Sequence, residues 1–308
     1  MGVRALAERY ADRLPLSRSA PIVSLGEGGT PLLPAPRISS RLEAEVLLKC
    51  EGANPTGSFK DRGMTVAVSQ ALADGAGAVV CASTGNTAAS AAAYAARAGL
   101  EAVILQPEGA VARGKLAQAR AAGARVVERA NFEEALAEAR ELESRGTHVL
   151  VNSLNPLRLE GQKTAAFEIV DELGGPPDVL ALPYGGGGNV CAYALGFREE
   201  GALPRLVAGQ AADRGGTVAS AIRISEPAHG EAAARAIADS GGAAVSVPDE
   251  EILAAWRLLA REEGVFCEPS SAAGLAALFA DPPRGARVVC VLTGHGLKDP
   301  DAVERETA

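Results

Sequence analysis

The chain is short of the residues that most often build metal sites, disulfide frameworks and aromatic surfaces. Its 308 residues include three histidines, five cysteines, one tryptophan, four tyrosines and six phenylalanines. His148, His229 and His295 are scattered, and no Cys-x-x-Cys pair occurs, so no metal site is expected. Cys50, Cys81, Cys191, Cys267 and Cys290 are odd in number and widely spaced. They read as buried reduced thiols rather than disulfides, which suits a reducing compartment. A catalytic cysteine–histidine pair is the weaker reading of the same residues.

Positive charge and long apolar runs are also scarce. The net charge is −8, from 30 basic and 38 acidic residues, and no basic run interleaved with aromatics occurs. Neither a nucleic acid nor an acidic membrane is therefore an expected partner. Residues 1–14 mix Arg4, Glu8, Arg9, Asp12 and Arg13 among alanines and lack the apolar centre of a signal peptide. The most apolar helix candidate, Ala88 to Ala98, is too short to span a bilayer. A soluble, cytoplasmic protein is the expectation.

Hydrophobic residues, at 47%, are ample for buried cores, and the length suggests two core-bearing units. From about Ala76 onward, short apolar runs alternate with helical patterns. Ala78–Ala82 precedes a helix over Asn86–Ala98, and Ala102–Leu105 precedes one over Arg113–Ala122. Arg125–Val127 precedes Phe132–Arg145, and His148–Val151 follows. The pattern resumes with helix Leu159–Leu173, strand Val179–Leu182, helix Asn189–Glu200 and strand Arg205–Ala208. Helices over Asp249–Glu263 and Ser271–Phe279 then lead to a last strand, Arg287–Leu292. This alternation predicts an α/β fold of βαβ units, with open parallel sheets covered by helices on both faces. Gly174–Pro177 and Asp281–Pro283 read as turns, and no fixed-period repeat is present.

Three local motifs carry chemistry. In Glu51–Gly63, the turn residues Pro55, Gly57 and Ser58 place Lys60 in the first turn of a helix. A lysine positioned and partly desolvated there can carry a Schiff base. The segment is not a nucleotide P-loop, because Ser58 and Phe59 separate the glycine from the lysine. Taken alone, a solvated helix-start lysine is the simpler reading. Cys81-Ala82-Ser83-Thr84-Gly85-Asn86-Thr87 ends an apolar run and opens an alanine-rich helix. Its hydroxyls and helix N-terminus suit a carboxylate, or a plain cap. Gly185-Gly186-Gly187-Gly188-Asn189 follows a strand and opens another helix. Glycine lets backbone N–H groups turn inward and cradle a phosphate; an isolated glycine run is equally a flexible connection. Asn189 can cap that helix, bond the phosphate, or both. Thr293 follows the last strand, where open parallel sheets meet ligands.

The lysine, the Ser-Thr-Gly-Asn-Thr segment and the glycine loop occur in an order similar to that of fold type II enzymes of pyridoxal phosphate (PLP). Gly26–Leu32, Asn152–Pro156 running to Gly161–Thr164, and Leu292–Lys298 resemble the threonine synthase family. The likeness spans roughly Val23 to Asp299. It implies a smaller α/β domain, residues 54–151, inserted in a larger PLP-binding one, residues 1–53 and 152–308, with PLP between them and a homodimeric assembly. It implies that Lys60 holds PLP and is the catalytic residue. Asn86 would face the ring oxygen, Gly185 to Asn189 would hold the cofactor phosphate, and Thr293 would bond the pyridine nitrogen. A hydroxyl there does not enforce ring protonation. Ser83, Thr84, Asn86 and Thr87 would take the substrate α-carboxylate. Asn152, Ser153 and Arg158 would grip the phosphate of O-phosphohomoserine, while Lys163 would be structural.

The implied activity is a carbon–oxygen lyase reaction of threonine biosynthesis, which turns O-phosphohomoserine and water into threonine and phosphate. Two features depart from the family pattern: Gly186-Gly187 stand where Asn-Ala is usual, and Ala110 stands where a lysine is expected. The segment from Gln210 to Ile222 is also short. These departures leave open a related lyase or replacement enzyme acting on threonine, serine, O-phosphoserine or a specialised amino acid. A non-catalytic binding protein with a relic site is a third reading, and the intact Lys60 speaks against it.

Overall fold

The structure is a computed structural model that describes residues 5–109 and 113–307. Ala110 lies outside the described residues. The strands are, in chain order, β1 (Leu32–Pro34), β2 (Glu45–Cys50), β3 (Ala78–Ala82), β4 (Glu101–Pro107) and β5 (Arg125–Arg129). They continue as β6 (Val149–Leu150), β7 (Val179–Pro183), β8 (Arg205–Ala211), β9 (Ala243–Val247) and β10 (Arg287–Leu292). The chain divides into two compact units, residues 1–28 with 54–164 and residues 29–53 with 165–308.

In the first unit the described strands form a parallel sheet ordered β5-β4-β3-β6. Strand β3 is buried throughout. Its alternate residues serve two cores: Val79 and Cys81 pack with Met64 and Tyr94, while Val80 and Ala82 pack with Leu105, Ala135 and Ala139. A strand buried on both faces has no polar side to show, which is why its sequence reads as an unbroken apolar run. Each fully buried large side chain here contributes roughly 1.5–3 kcal/mol over an exposed one.

The second unit repeats the logic on a larger sheet, ordered β1-β2-β10-β7-β8-β9 among the described residues. Val179 and Ala181 face one core and Leu180 and Leu182 the other; Cys290 and Val291 divide in the same way. All neighbours run parallel except β1, which pairs antiparallel with β2 at the sheet edge. That edge hairpin, with helix Pro36–Leu42 between its strands, has no counterpart in the sequence-based element assignment, and neither has β9.

The units share the 53/54 boundary with the expected division and differ from it in residues 1–28 and 152–164, which group with the first unit. Residues 1–28 belong with the first unit because its helix Lys60–Ala73 holds them: Thr65 Oγ1 donates to Val23 O at 2.7 Å, and Val23 N donates to Ser69 Oγ at 2.9 Å. Tyr94 Oη donates to Glu27 Oε2 at 2.7 Å. Residues 152–164 belong there because glycines let backbones touch. A Cβ on Gly161 would lie 2.0 Å from Arg62 O, and one on Gly63 would lie 2.5 Å from Arg158 O. No residue but glycine fits either position without separating the segments. None of the described helices is long and apolar enough to cross a membrane.

Candidate active site

Lys60 is the first residue of helix Lys60–Ala73, the placement its turn residues predict. The side chain is half-buried, with Nζ 4.4 Å from the centroid of the Phe59 ring. What fixes this turn is Asp61, whose carboxylate is fully buried. Asp61 Oδ2 accepts from Thr56 N at 2.7 Å. Its Oδ1 accepts from Thr56 Oγ1 and from Ser90 Oγ, both at 2.6 Å. Such charge-assisted bonds are short and strong. Ser90 lies in helix Asn86–Ala98, so Asp61 ties the start of the lysine helix to the helix that opens at Asn86.

The other expected residues of the first unit gather at the same end of its sheet. Ser83 follows β3; its Oγ accepts from Gly85 N at 3.1 Å, and Gly85 is the residue before helix Asn86–Ala98. Thr84 and Thr87 are half-buried beside it, and Asn86 is buried. Asn152 caps the end of β3 with its side chain: Oδ1 accepts from Ala82 N at 2.9 Å, and Nδ2 donates to Ala82 O at 2.8 Å. Ser153 follows, half-buried. Arg158 is fully buried. Its Nη1 donates to Val151 O at 2.7 Å, Nη2 reaches Lys60 O at 3.5 Å, and Nε has no partner. Burial lowers its pKa to about 10, which still leaves it charged at neutral pH. Burial also pushes the Cys81 thiol up to about 12, against the opposing pull of Arg158 and Lys60. Lys163 is paired with Glu160 at 2.5 Å.

In the second unit, the glycine loop follows β7 and Thr293 follows β10. These strands are neighbours in the sheet, so both motifs sit at its carboxyl edge. That is where open α/β sheets bind ligands. Gly187 has φ +85°, and the helix starts at Gly188 rather than after Asn189. Asn189 is thus inside the helix, not its cap, which corrects the capping expectation. Its amide is buried, and neither Oδ1 nor Nδ2 has a partner. The loop leans on residues 222–229: His229 N donates to Gly186 O at 3.0 Å, and a Cβ on Gly185 would lie 3.0 Å from Ile222 Cα. The short Gln210 to Ile222 connection is pinned in turn, with Val218 N donating to Asp249 Oδ2 at 2.9 Å.

Comparison with known proteins bears directly on this arrangement. Residues 23–294 match the family described as pyridoxal-phosphate dependent enzyme. The chain belongs to that family. It is 53% identical to a threonine synthase of Synechocystis sp., over 97% of this chain and 84% of that protein. It is 48% identical to a threonine synthase of Halalkalibacterium halodurans, over 97% of this chain and 90% of that one. The structure of maize serine racemase shares its fold, with a TM-score of 0.78 at 21% identity, over 94% of this chain and 91% of that one.

The residues present fit the family's cofactor. A buried carboxamide with two unpartnered atoms, at the second residue of a helix behind a glycine loop, is costly unless a ligand completes it. A phosphate at that helix start would do so, aided by inward N–H groups. Ser58 Oγ, in the turn that carries Lys60, is likewise buried without a partner.

Sequence reasoning passed over Glu268-Pro269-Ser270-Ser271, a short 3₁₀ segment that braces this edge. Ser270 Oγ accepts from Ala221 N at 3.0 Å, next to the Ile222 that backs Gly185. Ser271 Oγ lies 3.1 Å from Thr293 Oγ1. The Pro-Ser-Ser run was the available signal, since proline at the start of a helix with hydroxyls behind it marks a fixed turn.

Proposed function

We propose that the chain is a threonine synthase, converting O-phospho-L-homoserine and water to L-threonine and phosphate. The observation that carries the reading is 53% identity to a threonine synthase over 97% of the chain. Serine racemase, whose fold is shared, is only 21% identical. The bound cofactor would supply an electron sink for charge developing on substrate carbon. Every other part falls to the chain. Lys60 Nζ holds the cofactor and, once released by substrate, moves protons at the substrate carbons. Gly185 to Asn189 would hold the cofactor phosphate, Asn86 would take the ring oxygen, and Thr293 would take the pyridine nitrogen. Ser83, Thr84, Asn86 and Thr87 bind the α-carboxylate at the start of their helix, where N–H groups point outward.

The substrate phosphate is assigned to Asn152, Ser153 and Arg158. Asn152 keeps one hydrogen of Nδ2 beyond its bonds to Ala82, and the buried charge of Arg158 makes this end of the sheet electropositive. Five free thiols suit the cytoplasm as the place of action, and a homodimer is the proposed assembly.

Purified protein loaded with cofactor should release phosphate and form threonine in equal amounts from O-phosphohomoserine. O-phosphoserine and threonine are offered in parallel. Ammonia and a 2-oxo acid from either, with O-phosphohomoserine untouched, would replace this reading with a related lyase.

A further inference from the structure

We infer that Ser271 is a positioning residue that turns the Thr293 hydroxyl into a hydrogen-bond donor toward the cofactor's ring nitrogen. The inference rests on the assignment of Thr293 given above and adds a residue to it. Both side chains are buried, Ser271 fully and Thr293 nearly so. Ser271 Oγ accepts from Gly294 N at 2.9 Å. Its one proton then has two acceptors within reach, Thr293 Oγ1 at 3.1 Å and Gly294 O at 3.3 Å.

Two arrangements are conceivable, and they have opposite consequences. If Ser271 donates to Gly294 O, Thr293 can donate to Ser271 and present a lone pair outward. If Ser271 donates to Thr293, the Thr293 proton is left to point outward. The second is favoured on two grounds. Gly294 O already accepts from Glu268 N at 3.0 Å, whereas Thr293 Oγ1 offers the shorter contact. The relay then runs in one direction, from Gly294 N–H through Ser271 O–H to Thr293 O–H, each bond polarising the next. A hydroxyl aimed outward as a donor matches a ring nitrogen that carries no proton. The buried Glu268 carboxylate beside Gly294 pulls the other way, since a negative charge nearby favours a protonated nitrogen. The relay fixes which partner Thr293 presents in spite of that field.

The test is a double-mutant cycle on the affinity of the apoprotein for PLP, read by quenching of the single tryptophan, Trp256. Thr293→Val should weaken binding about three- to tenfold, the loss of one hydrogen bond. Ser271→Ala should weaken it by a similar or smaller factor, and the double variant no further than Thr293→Val alone. Ring-15N-labelled PLP gives a second readout: its resonance in the native protein should be that of an unprotonated, hydrogen-bonded nitrogen. Ser271→Ala should move it toward free, unbonded pyridine.

Ser271→Cys, which keeps a weak donor, should fall between and serves if the alanine variant does not fold. A Ser271→Ala effect of undiminished size in the Thr293→Val background would mean a merely structural role and overturn the inference. So would a ring nitrogen that is protonated in the native protein. If Thr293→Val changes neither affinity nor resonance, the assignment of Thr293 fails first and takes the role of Ser271 with it.

Discussion

Asp61 and Asn189 are both buried, and both stand one or two residues into the helix that opens their motif. Asp61, in the first unit, accepts hydrogen bonds from Thr56 N, Thr56 Oγ1 and Ser90 Oγ. Asn189, in the second, has two amide atoms and no partner for either. A satisfied buried polar group braces the fold; an unsatisfied one, as Asn189 and also Ser58 Oγ beside Lys60 are, is a place that a ligand can complete. The first unit therefore presents the Lys60 amine on a turn locked by side chains. The second presents a glycine loop at a helix start, with a buried amide that no protein group satisfies.

The largest effect expected on this contrast comes from the amine itself. Lys60→Ala should leave no covalently held cofactor after borohydride treatment and no measurable turnover. The unfolding midpoint of the apoprotein should stay near that of the parent, because Lys60 is half-buried and does not belong to the core. A variant still labelled covalently at another lysine would move the catalytic role elsewhere, Lys163 being the first to examine.

Asp61→Ala should come next, and its effect should be on stability. It strands three donors that the carboxylate satisfies, a loss on the order of 3 kcal/mol. Urea unfolding of the apoprotein measures it. An apoprotein as stable as the parent would show that the Asp61 bonds do not hold the lysine turn. Asn189→Ala should do the reverse. Removing two unsatisfied buried atoms should leave the apoprotein as stable as before or slightly more so. The affinity for PLP should nevertheless fall about tenfold, for the loss of one charge-assisted contact. If Asn189→Ala destabilises the apoprotein and spares cofactor affinity, the contrast between the two units collapses.

The same contrast explains what was legible in the sequence. Helix Asn86–Ala98 and strand Arg287–Leu292 have the bounds that their patterns predict. Lys60, the glycine loop and Thr293 were visible because each is chemistry written in adjacent residues. The Asp61 network was not, since Ser90 is 29 residues away and nothing local marks it as the partner. The burial of Arg158 had no signal because its acceptors are backbone carbonyls of Val151 and Lys60, and a carbonyl leaves no trace in residue type. Strand β9, Ala-Ala-Val-Ser-Val, was passed over because a serine interrupts its short apolar run and four of its five residues are at least partly exposed at a sheet edge. The grouping of residues 1–28 and 152–164 with the first unit was hidden for a similar reason. The bonds that bring residues 1–28 to the first unit join Val23 to Thr65 and Ser69, more than 40 residues on.

The smallest effect is one that shows itself only at alkaline pH. Burial raises the Cys81 thiol of the first unit from its ordinary 9.0 to about 12. In the second unit burial raises Cys50 to about 11 and Cys290 to about 12. A thiol whose pKa is higher in the folded protein binds its proton more tightly there. Its contribution to stability is complete below pH 9 and is lost as pH rises through 11 to 12. Tyr94, also pushed up by burial, acts in the same direction. Arg158, lowered to about 10, opposes it above that pH. Urea midpoints should therefore show no pH dependence from these thiols near pH 7 and a decline above pH 9. Cys290→Ala should decline less steeply than the parent over the alkaline range, whatever the cavity it leaves costs at neutral pH. Equal slopes for parent and variant would show that Cys290 ionises in the folded protein as it does in the unfolded chain.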